Sequence, residues 1–185
     1  MSEEVLKELK SRIDKTLDDL KRELGKVRTG RANAAILDGV MVNYYGTPTP
    51  LAGMASVSVP EPRLIVVKPW DKGQLKDIEK ALKEANLGIT PMNDGEVIRL
   101  PMPAMTEERR KEIAKQVKSK GEEHKVAVRN VRRDANERLK ALLKDKKITE
   151  DDNKRFTERV QKETDAGITK VDEVVAKKEK EVMEV

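Results

Sequence analysis

The sequence predicts an α+β protein, a long three-helix bundle with a small β/α/β domain inserted after its first helix. Three observations predict it. At both ends of the chain, apolar residues recur at three- and four-residue steps over long stretches, the signature of amphipathic helices. The middle holds β-branched and aromatic residues broken by Gly and Pro, which is strand-and-turn writing. Charged residues make up 39% of the 185, against one Trp, two Tyr and one Phe, a composition for solvated helices rather than a wide aromatic core.

The first helix is expected from Ser2 to about Val27, with Leu6, Leu9, Ile13, Leu17, Leu20, Leu24 and Val27 on one stripe. A second opens after Thr106, its N-cap, with Glu107 and Glu108 in the first turn, and runs without a proline to Leu143. At about 1.5 Å per residue it is on the order of 55 Å long. The third starts at the capping-box pattern Thr149-Glu150-Asp151-Asp152 and carries Phe156, Val160, Ile168, Val171, Val175 and Val182 on one side. None of the three stripes can be buried alone, so the helices are expected to bundle. Gly121 and Gly167 fall near the stripes, where they either permit close helix approach or are tolerated at about 1 kcal/mol each.

Between the first two helices, "GVMVNYYGTPTPL" and "ASVSVPEPRLIVVKPW" read as strands and turns. "DKGQLKDIEKALKEANLG" reads as one short helix with Leu75, Ile78 and Leu82 inward and Gly88 near its end, and "NDGEVIRLP" as a turn followed by a strand. The expected division is a discontinuous bundle, 1–30 and 105–185, around an inserted domain, 31–104. The crossings lie at 29–32 (Thr29, Gly30, Arg31, Ala32) and 101–105 (Pro101, Met102, Pro103, Ala104, Met105). Glycine on one crossing and prolines on the other suit a hinge, and they suit two ordinary junctions equally well.

The helix from Thr106 carries the most informative pattern. At roughly 100° per residue, with Val128 at zero, Ile113, Val117, His124, Val131, Ala135 and Leu142 cluster between about 300° and 340° as the expected core stripe. Lys111, Lys118, Lys125, Arg129, Arg132, Arg133 and Lys140 fall between about 40° and 140°, while Glu108, Glu112, Glu123, Asp134 and Glu137 fall between about 160° and 240°. Glu122 is acidic and lies well inside the basic arc. A helix written only for solubility interleaves its signs so that Glu and Lys pair four residues apart. Segregated charge on a rigid rod instead matches a nucleic-acid backbone, and arginine at its centre offers a planar fork for phosphate and bases. The competing reading is a merely solvated face.

Cysteine is absent, which removes disulfides and thiolate chemistry and suits a reducing compartment. His124 is the only histidine and lies on the core stripe, so it reads as a buried histidine rather than a catalytic one, with no second His or Cys to build a metal site. No Walker loop, GxGxxG or HExxH is present. The longest apolar runs, such as Leu64-Ile65-Val66-Val67, are far short of a membrane span, and MSEEVLKELK is helical rather than a signal peptide. The expectation is a cytoplasmic protein that is no enzyme and uses no metal, cofactor or membrane.

Five segments in order carry a resemblance over essentially the whole chain: "VRTGRA" (27–32), "YYGTPTPL" (44–51), "TEERRK" (106–111), "VAVRNVRRDAN" (126–136) and "ALLKDKKITEDD" (141–152). Together they resemble the bacterial ribosome-recycling factors. The resemblance implies an L-shaped monomer of transfer-RNA dimensions, with the bundle and the small domain joined by two hinge strands. It implies binding to the post-termination ribosome, with large-subunit ribosomal RNA against the arginine face. It further implies subunit splitting with elongation factor G and GTP, releasing ribosome and messenger RNA for reuse, with the GTPase chemistry belonging to the partner. It adds Arg28 and Arg31 of "VRTGRA" to the RNA-binding set of Arg132, Arg129, Arg133, Lys125, Lys118, Lys111 and Lys140. Two other classes compete. A basic coiled-coil protein binding acidic protein partners would be helical throughout, and a hydrolase in the inserted domain would need paired polar residues there.

Overall fold

The structure, a computed structural model, describes residues 1–184, which divide into two compact units, 1–29 with 107–184, and 30–106. The first holds α1 (Ser2–Gly25), α3 (Glu107–Lys144) and α4 (Glu150–Met183), each packed against the other two. Of the expected α1 stripe, Leu6 through Leu24 are buried together with Val5. The helix ends at Gly25, not at Val27. Gly25 is the poorest helix former of the stretch, and beyond it Lys26 and Val27 donate only to the carbonyls of Glu23 and Leu24, in tighter turns. At the start of α4, Thr149 accepts from the Asp152 amide at 3.1 Å and Asp152 Oδ2 accepts from the Thr149 amide at 3.4 Å, a complete capping box.

The glycines on the stripes permit close approach. A Cβ built on Gly121 would lie 2.5 Å from Val175 Cγ2, and one on Gly167 would lie 2.7 Å from Ile13 Cγ2. Thr164, unremarked in the sequence, is also fully buried in α4, where its hydroxyl donates to the Val160 carbonyl at 2.8 Å. No described helix is long and apolar enough to cross a membrane.

The second unit is built on β1 (Met41–Tyr44), β2 (Thr47–Pro50), β3 (Ala55–Glu61), β4 (Leu64–Pro69), α2 (Leu75–Glu84), β5 (Met92–Asn93) and β6 (Ile98–Pro101). β1 and β2 form a hairpin whose turn places Tyr45 and Gly46 at φ 47° and 85°, with Asn43 Oδ1 accepting from the Gly46 amide at 2.8 Å. The other strands form an antiparallel sheet in the order β3-β4-β6-β5; the two-residue β5 was not legible as a strand of its own. Its core joins Ile65, Val67, Ile98 and Leu100 of the sheet to Ile78 and Leu82 of α2. Before α2, Asp71 Oδ1 accepts from the Gly73 amide and caps a 3₁₀ turn, Lys72–Gln74. After Ala85, Asn86 (φ 52°) leaves the helix in the left-handed conformation, a role the sequence suggested for Gly88.

Both crossings are tied to the β3–β4 turn. The Ala32 amide donates to the Pro62 carbonyl and the Met102 amide to the Arg63 carbonyl, each at 2.7 Å. Pro101 closes β6, paired with Leu64. Gly30 sits at φ 77°, a conformation costly for any residue with a Cβ, and a Cβ there would lie 3.4 Å from Met105 Cε.

Candidate nucleic-acid interface

The basic residues of α3 stand on 38 residues of uninterrupted helix. The buried side of that helix is Ile113, Val117, Gly121, His124, Val128, Val131, Ala135 and Leu139, while Leu142 is half-buried. Val128 and Leu139 carry the core round to about 20° on the helical wheel, further than the stripe drawn from sequence. Arg132 at about 40° and Lys125 at about 60° therefore border the core, while Lys118, Lys111, Arg129, Lys140 and Arg133, between about 80° and 140°, face outward.

Burial follows that order. Arg132 and Lys125 are half-buried, and the other five are exposed. Arg132 Nη1 donates to Gln161 Oε1 of α4 at 3.2 Å, which fixes one edge of its guanidinium. Lys125, its side chain only 17% exposed, is held by Asp172 of α4 and by Glu122 at 3.1 Å. Hydrogen bonds to Asp172 first, and to Glu122 next, raise its pKa above the usual lysine value. Lys111 pairs with Glu107 at 2.8 Å, and the lysine holds that carboxylate below its usual range. Lys118, Arg129, Arg133 and Lys140 make no ion pair with any described residue. Of the two residues added by resemblance, Arg28 and Arg31 are both exposed.

Other charges of α3 are paired across the bundle. Asp134 takes Arg12 of α1 at 2.8 Å, and Arg138 pairs with Glu8 of α1. Elsewhere Glu3 of α1 takes Arg159 of α4 at 2.6 Å and Glu163 takes Lys10 at 3.0 Å. One side of the rod is thus knitted to its neighbours, and the other leaves cations unpaired. The unpaired set is narrower than the sequence set of seven. The spacing of Glu107 and Lys111, four residues apart on one helix, is a signal the sequence carries, whereas Asp172 is brought to Lys125 only by folding.

His124 is buried, at 7% exposure, as its position on the stripe predicts. Its Nδ1 donates to the Lys120 carbonyl at 2.7 Å, and its Nε2 lies 3.0 Å from Oδ2 of Asp19 on α1. That contact, first, and Arg22, next, hold Asp19 below the ordinary carboxylate range.

A family model described as "Ribosome recycling factor" matches residues 20–183. The ribosome-recycling factor of Myxococcus xanthus is 74% identical over the full length of both chains. That of Anaeromyxobacter dehalogenans (strain 2CP-C) is 58% identical over all of this chain and 98% of its own. Among solved structures, a solution structure of the ribosome recycling factor matches with TM-score 0.76 at 39% identity, over 100% of this chain and 98% of that one. A second match, TM-score 0.64 at 42% identity and covering both chains fully, is from models of the Thermus thermophilus factor and Escherichia coli elongation factor G bound to the E. coli post-termination complex. Sequence over the whole length and both folded units agree: the chain belongs to the ribosome recycling factor family.

Proposed function

We propose that this chain, a translation factor of ribosome recycling, binds the post-termination ribosome through the outward basic arc of α3 and, with elongation factor G and GTP, splits the subunits and frees them from messenger RNA. One observation carries the reading. Lys118, Arg129, Arg133 and Lys140 stand exposed and unpaired among the described residues on a single rigid helix, while Asp134 and Arg138 of the same helix are paired with α1. Unpaired cations in a fixed row attract a polyanion without first breaking internal pairs, and counterion release on large-subunit ribosomal RNA supplies the affinity.

The relative with elongation factor G on a post-termination complex supports the choice of partners. In this reading the chain acts as a monomeric strut. The bundle is seated by its charge, and the small domain moves about the crossings at 29–32 and 101–105 when the motor protein pushes. GTP is hydrolysed by the partner, and the bundle supplies position rather than catalysis. A basic coiled coil is disfavoured by the four-stranded sheet, since that reading required helices throughout.

Sedimentation with ribosomes tests the proposal. Arg129→Ala should weaken co-sedimentation, Lys177→Ala on the exposed side of α4 should not, and RNase treatment should abolish the interaction. Equal binding by the two variants would reduce the arc to a solvated face.

A further inference from the structure

We propose that Asp19, Glu23 and His124 form a binding site for one divalent 3d metal ion of the zinc type, which staples α1 to α3. Asp19 and Glu23 are four residues apart on α1, so both carboxylates leave the same face of that helix, opposite His124 of α3. One ligand atom from each lies within 4.8 Å of the other two.

The imidazole is prepared as a ligand. Its Nδ1 donates to the Lys120 carbonyl, which selects the tautomer that leaves the Nε2 lone pair free, the second-shell arrangement of metal-bound histidines. That lone pair then faces Asp19 Oδ2 across 3.0 Å. Two acceptors at this distance need a cation between them, either a proton or a metal. Glu23 decides between the two. Its Oε2 is shut off from solvent, and its one cationic partner, Lys120 Nζ, stands 3.5 Å away and is shared with Glu123. A proton on Nε2 satisfies Asp19 and leaves Glu23 as it is. A metal satisfies all three.

Around the ring stand three carboxylates, Asp19, Glu23 and Glu123, and two cationic side chains, Arg22 and Lys120. The side chains of Asp19 and Glu23 are 40% and 36% exposed, which gives an ion a path inward and leaves room for waters to complete its coordination. An imidazole with two carboxylates suits zinc or nickel, whereas calcium and magnesium favour all-oxygen sites.

The test uses the full chain, stripped by chelator and titrated with zinc chloride at about pH 7.5, where a free imidazole is neutral. His124 is the only histidine, so a single imidazole ¹⁵N pattern reports the site. The expected result is one equivalent bound, a shift of Nε2 to the metal-coordinated position, and a rise in melting temperature that EDTA reverses. His124→Gln and Glu23→Gln should each weaken binding by about 100-fold or more, since even outer-shell losses cost roughly 10- to 100-fold. Circular dichroism checks that each variant keeps its helicity. An Nε2 that stays protonated with zinc present, or binding that survives either substitution, overturns the proposal.

Discussion

Gly167 of α4 and Ile13 of α1 meet so closely that a Cβ on the glycine would lie 2.7 Å from Ile13 Cγ2, inside any normal carbon–carbon contact. Alanine is the better helix former by about 1 kcal/mol, so on propensity alone Gly167→Ala should stabilise α4. Here the clash decides. Ile13 is buried and β-branched, and its stiff side chain cannot swing clear without moving the helix. Urea denaturation should show Gly167→Ala destabilised by about 1–3 kcal/mol, the usual cost of overpacking. Gly25→Ala, with nothing within 4 Å of the new Cβ, should be neutral or stabilising. A stabilised Gly167→Ala would mean that the two helices are not held at this separation.

The turn before β6 gives a pH-dependent expectation. The amides of Val97 and Glu96 donate to Asp94 Oδ1 at 2.9 and 3.0 Å, and Arg99 pairs with its other oxygen. These bonds, the backbone ones first, pull its pKa down from 3.8 to about 2. A depressed folded pKa means that the stabilisation is complete above the unfolded value and is lost as pH falls through the folded one. Titration followed by carboxyl ¹³C shift should therefore place Asp94 among the lowest carboxylates of the chain. At pH near 6, Asp94→Ala should speed hydrogen exchange of the Val97 and Glu96 amides. An Asp94 titrating at the ordinary carboxylate value would remove this lock.

Local rules made most of the fold legible. Each bundle helix shows its period over at least 24 residues, and the capping box at Thr149 is a four-residue pattern. What stayed hidden depends on distant partners. Asp19 and His124 are 105 positions apart, and nothing in either neighbourhood marks the other. Lys125 reads as a full member of the basic arc until α4 brings Asp172 against it. The two-residue β5 is too short for any alternation, and it exists because β6 offers Arg99 and Ile98 as register partners.

The crossings lead to a kinetic expectation. Gly30 holds a positive φ, and both crossings are hydrogen-bonded to the turn at Pro62 and Arg63. Because the chain has no cysteine, a pair of introduced thiols, one in each unit, would be the only site of cross-linking. The oxidised, locked molecule should bind ribosomes nearly as well as the reduced one, yet fail to disassemble post-termination complexes with elongation factor G and GTP. Reduction should restore activity. Full recycling by the locked form would remove relative domain motion from the mechanism.

The basic arc should divide into three kinds of residue when affinity for ribosomes is measured across a salt series. Arg129 and Arg133 are exposed and unpaired among the described residues, so each alanine variant should lower affinity and reduce the logarithmic salt slope by about 1, one phosphate neutralised per side chain. Lys125 must first leave Asp172 and Glu122, so Lys125→Ala should change the slope by less than the arginine variants do. Arg132 is the third kind. Gln161 holds one edge of its guanidinium, which presents the remaining donors in a fixed plane. Arg132→Lys keeps the charge and removes the fork, so it should leave the slope unchanged while costing about 1.5 kcal/mol, close to tenfold in affinity. Lys177→Ala, exposed on α4, serves as the control and should match the parent chain at every salt concentration. If Arg132→Lys binds as tightly as the parent, its role is charge alone. If Arg129→Ala and Arg133→Ala share the slope of Lys177→Ala, the arc does not carry the interaction.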